Sequence, residues 1–252
     1  MKAITNNPFS EYLQNIENNY NLISTIIKFP VFQKHVNAIV LWKLFLIEYQ
    51  FLNNKGFRVD DNSRKFVFTI IYYFLRGDNF NFSPSIYKTN NCIPSLDKGL
   101  LIVGSFGVGK TTILKTIVSI IEKLSLNFNM YPVRMHNTVT IVEEFENSLS
   151  NFKNDTIDRY SKGFRIFDDV KNEREASNFG KVDLFKEILY KRCETKNFRT
   201  IILCNYDSNF PNDMNAAIES FARYGDRNYD RLFEAFNFVE FKGSSNRIDL
   251  LS

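Results

Sequence analysis

Residues 104–112 read GSFGVGKTT, in which Gly104, Gly109, Lys110 and Thr111 satisfy the spacing GxxxxGK[ST]. These types in this order suit one task, the grip of a polyphosphate. A glycine-rich turn lets successive backbone N–H groups point inward at phosphate oxygens, and a helix beginning at Lys110 adds the partial positive charge of its first turn. The expected cradle is Gly104, Ser105, Phe106, Gly107, Val108, Gly109, Lys110, Thr111 and Thr112. Within it the Lys110 ammonium would reach the β- and γ-phosphates, and the Thr111 hydroxyl would ligate Mg²⁺.

Three further polar groups stand at the ends of apolar runs. In FRIFDDV, Asp168 and Asp169 close a short strand, at the edge where open α/β sheets bind ligands. Asp168 belongs with Mg²⁺, directly or through water, and Asp169 stands where a base or water-polarising acid sits. Read alone, such acids serve equally well as loop solvation or a helix cap. In TIILCNYD, Asn205 either orients an attacking water and touches the γ-phosphate, or simply ends a strand and opens a turn. The late segment YGDRNYDRLFEAFNF sets Arg227 and Arg231 one helical turn apart, with Leu232, Phe233 and Phe236 alongside. Two permanent cations on one helix edge either meet an external anion or pair with Asp226, Asp230 or Glu234.

Positioning these groups requires strands that end at the site and helices that cover them. Short apolar runs predict strands at 99–103, 128–133, 164–167, 200–204 and 238–241. Longer amphipathic stretches predict helices at 110–124, about 138–150, 181–195 and about 227–236. The stripe Ile113, Leu114, Ile117, Ile120, Ile121 and Leu124 marks the buried face of the helix that follows the glycine-rich turn. The strands are continuous rather than alternating in character, which suits a parallel sheet covered on both faces. Upstream, residues 11–52 carry apolar positions at helical spacing, from Tyr12, Ile16 and Tyr20 to Trp42, Phe45 and Tyr49, and Pro30 separates two expected helices. A loop at 53–63 follows, and Asp61 or Asn62 is expected to cap a helix running to about Arg76.

The composition is that of a folded chain, with 44% hydrophobic and 24% charged residues among 252. Residues 1–95 hold 10 Lys and Arg against 6 Asp and Glu, and the rest holds 22 against 22, so the net +4 comes from the amino-terminal part. That mild excess is compatible with nucleic acid or an acidic partner. The longest greasy run, FVFTIIYYFL, is too short to span a bilayer as a helix, and MKAITNNPFS leads into no apolar signal core. The expectation is a cytoplasmic protein with no membrane partner. Cys92, Cys193 and Cys204 form no CxxC pair and predict neither a disulfide framework nor a zinc site, and His35 and His136 read as structural.

Taken together, the turn at 104–111, the acids of FDD, the strand-end Asn205 and the late RNYDRL box resemble the AAA+ ATPases. Within these the succession DDV, NFG, EIL, CNY and YGDRNYDRLFEAFN is most similar to DnaC-type helicase loaders and the related IstB-type transposition ATPases, over about residues 60–242. The resemblance implies a P-loop α/β fold of the AAA+/ASCE kind: a parallel five-stranded sheet flanked by helices, lacking a carboxy-terminal lid. It implies ATP and Mg²⁺ as ligands, bound between neighbouring copies of a homo-oligomer. Arg231, where the family often has SRL or SRF, would reach the γ-phosphate of the adjoining copy, with Arg227 a second interface cation or itself the finger. Asp169 stands where Glu is commoner, which implies slow or partner-tuned hydrolysis, and Arg247 is a poor substitute for a lid arginine. The expected domains are a helical partner-binding unit at 1–57 and an ATPase core at 58–252. A loader would engage single-stranded DNA and a replicative helicase, the latter through the amino-terminal helices. An IstB-like ATPase would serve a transposase on duplex DNA, and a small-molecule kinase is a third class. Arg134, Lys171 and Arg174 are the candidate DNA contacts.

Overall fold

The computed structural model describes residues 37–89, 92–123, 132–147, 153–177, 180–195 and 199–245. Helix α1 (Ala38–Asn53) opens on Asn37, whose side chain accepts from the amides of Ile39 and Val40. Helix α2 (Asp61–Leu75) opens on a capping box, in which Asp60 accepts from the Ser63 amide at 2.8 Å and the Ser63 hydroxyl accepts from the Asp60 amide at 2.9 Å. The cap is therefore Asp60 rather than Asp61 or Asn62, because only Asp60 has a reciprocating hydroxyl three residues on.

The central layer is a five-stranded parallel sheet in the order β2-β3-β6-β1-β7. Its strands are β1 (Gly99–Gly104), β2 (Arg134–Asn137), β3 (Arg165–Val170), β6 (Thr200–Cys204) and β7 (Phe236–Phe241). A small antiparallel pair, β4 (Ala176–Ser177) and β5 (Lys181–Val182), lies outside it. The connecting helices are α3 (Lys110–Lys123), α4 (Thr138–Glu146), α5 (Lys153–Ser161), α6 (Leu184–Glu194), α7 (Met214–Glu219) and α8 (Asp226–Ala235).

Several expected boundaries shift. The second strand is RMHN at 134–137 rather than 128–133, of which 128–131 lie outside the described residues. It is an edge strand paired with β3 alone, so it does not need the apolar run that a central strand shows. Helix α4 gives way at Asn147, ahead of the expected 150. Helix α6 starts at Leu184, where the Asp183 side chain accepts from the Lys186 amide, and Lys181–Val182 is strand instead. Helices α5 and α7 were not legible, since α5 is too polar to show a stripe and α7 too short.

Both faces of the sheet are covered, as its continuous apolar strands require. On β1, Leu100 and Ile102 join one cluster with α1, α2 and α3, while Leu101 and Val103 join the opposite cluster with α4 to α8. Phe66 of α2 stacks on Phe241 of β7 at 4.2 Å with the rings 4° apart. Helix α1 also belongs to this core. It buries Leu41, Leu44, Phe45 and Tyr49, and its buried Glu48 accepts from Lys123 at 2.7 and 2.8 Å and from the Ser119 hydroxyl at 2.7 Å. The earlier amino-terminal apolar pattern, with Pro30 and His35, lies outside the described residues, as does Arg247.

Candidate functional site

Strand β1 delivers Gly104 to the carboxyl edge of the sheet, and the chain turns there into α3. Gly107 and Gly109 sit at φ +75° and +99°, a region that L side chains rarely enter, so glycine is needed at both. The turn thereby curls back over the start of α3. Val108 between them is buried, whereas Phe106 at the crest is 64% exposed. Lys110 folds beneath the turn. Its ammonium donates to the carbonyls of Gly104 (2.6 Å) and Ser105 (2.9 Å) and to Asn205 Oδ1 (2.8 Å). The strand-end amide thus lies against the turn's lysine although 95 residues separate them.

The acids arrive on β3. Its register with β6 slips between Phe167 and Val170, so the backbone bulges where Asp168 and Asp169 lie. Asp169 and Lys171 take φ of +58° and +81°, uncommon for residues with a side chain. Asp168 Oδ2 accepts from the Thr111 hydroxyl at 2.8 Å, and Asp168 Oδ1 from the Asp169 amide at 3.0 Å. Burial raises the Asp168 pKa, the charge of Asp169 adds to this, and the Thr111 hydrogen bond and Lys110 oppose it. Asp169 Oδ2 accepts from Asn137 Nδ2 at 2.8 Å, while Asn137 Oδ1 caps α4 by accepting from the Val139 amide. One amide therefore starts a helix and orients an acid.

These groups border a cleft of about 430 Å³ lined by Gly107, Gly109, Lys110, Thr111, Thr112, Asp168, Asp169 and Asn205, with Phe106 at its mouth. Its far wall is Tyr49, Asn53 and Lys55. The residues present fit a Mg²⁺-bound triphosphate: a lysine and a helix start for the phosphates, and a hydroxyl against a carboxylate as an oxygen donor pair for a hard cation.

The strand that ends in Asn205 lies between the strand leading to the turn and the strand bearing the acids. The sheet order, with the glycine-rich turn leading from β1 into α3, is that of a P-loop α/β fold. Several solved structures are similar to this P-loop fold. A DnaC helicase loader is 19% identical with a TM-score of 0.47, covering 80% of this chain and 98% of the other. DnaI is 22% identical with a TM-score of 0.45, covering 75% and 89%. Domain III of the Thermotoga maritima replication initiation protein DnaA is 17% identical with a TM-score of 0.43, covering 77% and 67%. No protein-family model and no curated protein matches the sequence.

The arginine pair lies elsewhere. Arg231 lines a hollow of about 550 Å³ together with Gly99, Thr200 and Phe236, the first residues of β1, β6 and β7. That is the amino-terminal edge of the sheet, opposite the P-loop of the same chain. Arg231 pairs with Glu194 on α6, and Arg227 approaches the same carboxylate at 3.4 Å. Both guanidinium groups lie over the Tyr190 ring, at 5.5 and 4.9 Å. Asp226, Asp230 and Glu234, the expected surface partners, are not the ones used; the helix turns the arginines toward α6.

Of the candidate DNA contacts, Lys171 points inward. It donates to the Asn205 carbonyl at 3.0 Å and the Ser220 hydroxyl at 2.8 Å, so it is not part of a solvated basic face. Arg174 pairs with Glu146, and Arg134 is exposed on the edge strand. Sequence reasoning missed Asn137, Glu194, Tyr49, Asn53 and Lys55 as neighbours of the key groups. Only Asn137 carried a signal, a cap-forming residue immediately before a predicted helix. Among the described residues no helix is long and apolar enough to cross a membrane.

Proposed function

We propose that the chain is an AAA+ ATPase of the DnaC-type loader family, which binds ATP with Mg²⁺ in the P-loop cleft and hydrolyses it between copies of itself. The observation that carries this reading is the convergence of Lys110, Thr111, Asp168, Asp169 and Asn205 on one cleft, with Arg231 at the opposite sheet edge. Lys110 and the P-loop amides hold the β- and γ-phosphates; Thr111 and Asp168 hold Mg²⁺, which neutralises phosphate charge. Asp169, steadied by Asn137, polarises the attacking water, and Asn205 orients it. A planar, permanently charged donor on the far edge suits charge developing at a neighbour's γ-phosphate. In this reading ATP is a switch for engaging single-stranded DNA and a replicative helicase, with recognition of the helicase through the amino-terminal helices.

Two experiments test it. Lys110→Ala and Arg231→Ala are each expected to be inactive as ATPases, and mixing them should restore part of the turnover, since one supplies the arginine and the other the P-loop. An arginine finger is worth about 10³–10⁵ in rate. A surface ion pair at Arg231 instead gives near-normal turnover in the single variant and no rescue at any ratio. Co-purification of the full chain from cells then reads the partner: a hexameric helicase supports the loader role, and a transposase replaces it with the IstB-like one.

A further inference from the structure

Lys171 has no place in the chemistry above, yet it occupies the junction between the two halves of the proposed site. Its ammonium bridges the carbonyl of Asn205 and the hydroxyl of Ser220, and lies 5.5 Å from the centre of the buried Phe221 ring. Its carbonyl accepts from Arg223 Nη1 at 2.9 Å, and its amide donates to Glu173 Oε2 at 2.9 Å. Glu173, itself buried, accepts from the hydroxyl of the fully buried Tyr224. One residue therefore ties the acid-bearing strand, the Asn205 strand end and the 220–224 turn together.

The turn leads directly to the arginines. Gly225, at φ +92°, joins it to α8, and Asn228 Nδ2 reaches back to the Tyr224 carbonyl at 3.0 Å and across to the Lys186 carbonyl at 3.2 Å. Arg231 follows one turn later on α8. At the other end Asn205 Oδ1 accepts from Lys110. A phosphate that draws Lys110 toward itself must loosen that contact, and Asn205 is the residue whose backbone Lys171 holds. The left-handed φ of Lys171 is consistent with a backbone held in place by this surrounding network rather than by local preference.

We propose that Lys171 is a positioning residue that couples the nucleotide state of a subunit's own cleft to the placement of the Arg231 it offers to a neighbouring copy. This rests on the reading of Arg231 as acting between copies. The motion is a change in how the 220–225 segment seats α8, passed from Lys110 through Asn205 and Lys171 to Ser220.

The test separates donating the arginine from using one's own cleft. Arg231→Ala protein is the acceptor, and its turnover is measured with Asp169→Asn donors, which keep Lys110 and bind ATP but hardly turn it over. The same donor carrying Lys171→Met keeps Arg231 intact and is expected to rescue at least ten-fold less. Lys171→Arg in that donor should recover most of the rescue, since it restores a cation able to bridge Asn205 and Ser220. Lys171→Met alone, with Asp169 present, is expected to bind a fluorescent ATP analogue within about two-fold of the parent, which a collapsed cleft would not. Equal rescue by donors with and without Lys171→Met overturns the coupling. Loss of nucleotide binding in Lys171→Met, or a failure of Lys171→Arg to recover rescue, assigns Lys171 to local stability and equally overturns it. Failure of the Asp169→Asn donor itself, with Lys171 intact, instead removes the trans-acting reading of Arg231.

Discussion

Removing residues 1–57 is expected to unfold this protein, whereas removing residues 1–36 should leave it folded. The difference lies in α1. That helix buries Leu41, Leu44, Phe45 and Tyr49, each no more than 6% exposed, between α2 and α3. Full burial of one such side chain is worth roughly 1.5–3 kcal/mol, so four together contribute on the order of 6–12 kcal/mol before any reduction for residual structure in the unfolded chain. A whole domain is typically stable by only about 5–15 kcal/mol. Losing α1 also strands Ser119 and Lys123 of α3 without Glu48. Urea unfolding followed by circular dichroism reads the outcome. The 37–252 chain should show one cooperative transition at a midpoint near that of the parent, and the 58–252 chain should show none, or aggregate. A 58–252 chain with an unchanged midpoint would refute the assignment of α1 to the core. Phe45→Ala offers a milder version, with an expected loss of about 3–5 kcal/mol. If partner recognition resides before residue 37, the 37–252 chain should also retain nucleotide binding while losing its protein partner in a pull-down.

Asp169→Asn keeps the shape that Asn137 holds but removes the charge, so Mg-ATP binding should persist while turnover falls by about 10²–10⁴; unchanged turnover makes Asp169 structural. Asp168→Asn should abolish Mg²⁺-dependent nucleotide binding, yet leave the ligand-free protein as stable as the parent or more so. The Asp168 pKa is raised by burial, so its ionised form opposes folding as pH rises, and the amide removes that penalty; a clearly lower melting temperature at pH 8 would contradict this. His136 should make the protein acid-sensitive. Burial and the neighbouring Arg165 lower its pKa from 6.5 to about 4, so the unfolded chain binds the proton first. Stability present above pH 6.5 is therefore lost as pH falls toward 4, by at most about 3 kcal/mol at roughly 1.4 kcal/mol per unit, and His136→Gln should flatten that part of the profile.

The sequence by itself determined the glycine-rich turn, because glycines at fixed spacing ahead of a lysine and a threonine encode a local backbone path and a local charge. It also determined the central strands. Residues such as Leu100–Val103 and Ile201–Cys204 must be apolar on both faces when helices cover both, and that leaves an unbroken run to read. Edge strand β2 escaped for the opposite reason, since a strand with one neighbour tolerates polar RMHN. The roles of long-range partners were decided only by the tertiary structure. Nothing local to Arg231 announces Glu194, 37 residues away, and nothing local to Lys171 shows that its ammonium is spent on Asn205 and Ser220 rather than offered to solvent. The same holds for α1. Its apolar stripe predicts a helix with a buried face, but amphipathicity names no partner, and only packing against α3 makes that helix part of the core and its last turn the far wall of the cleft.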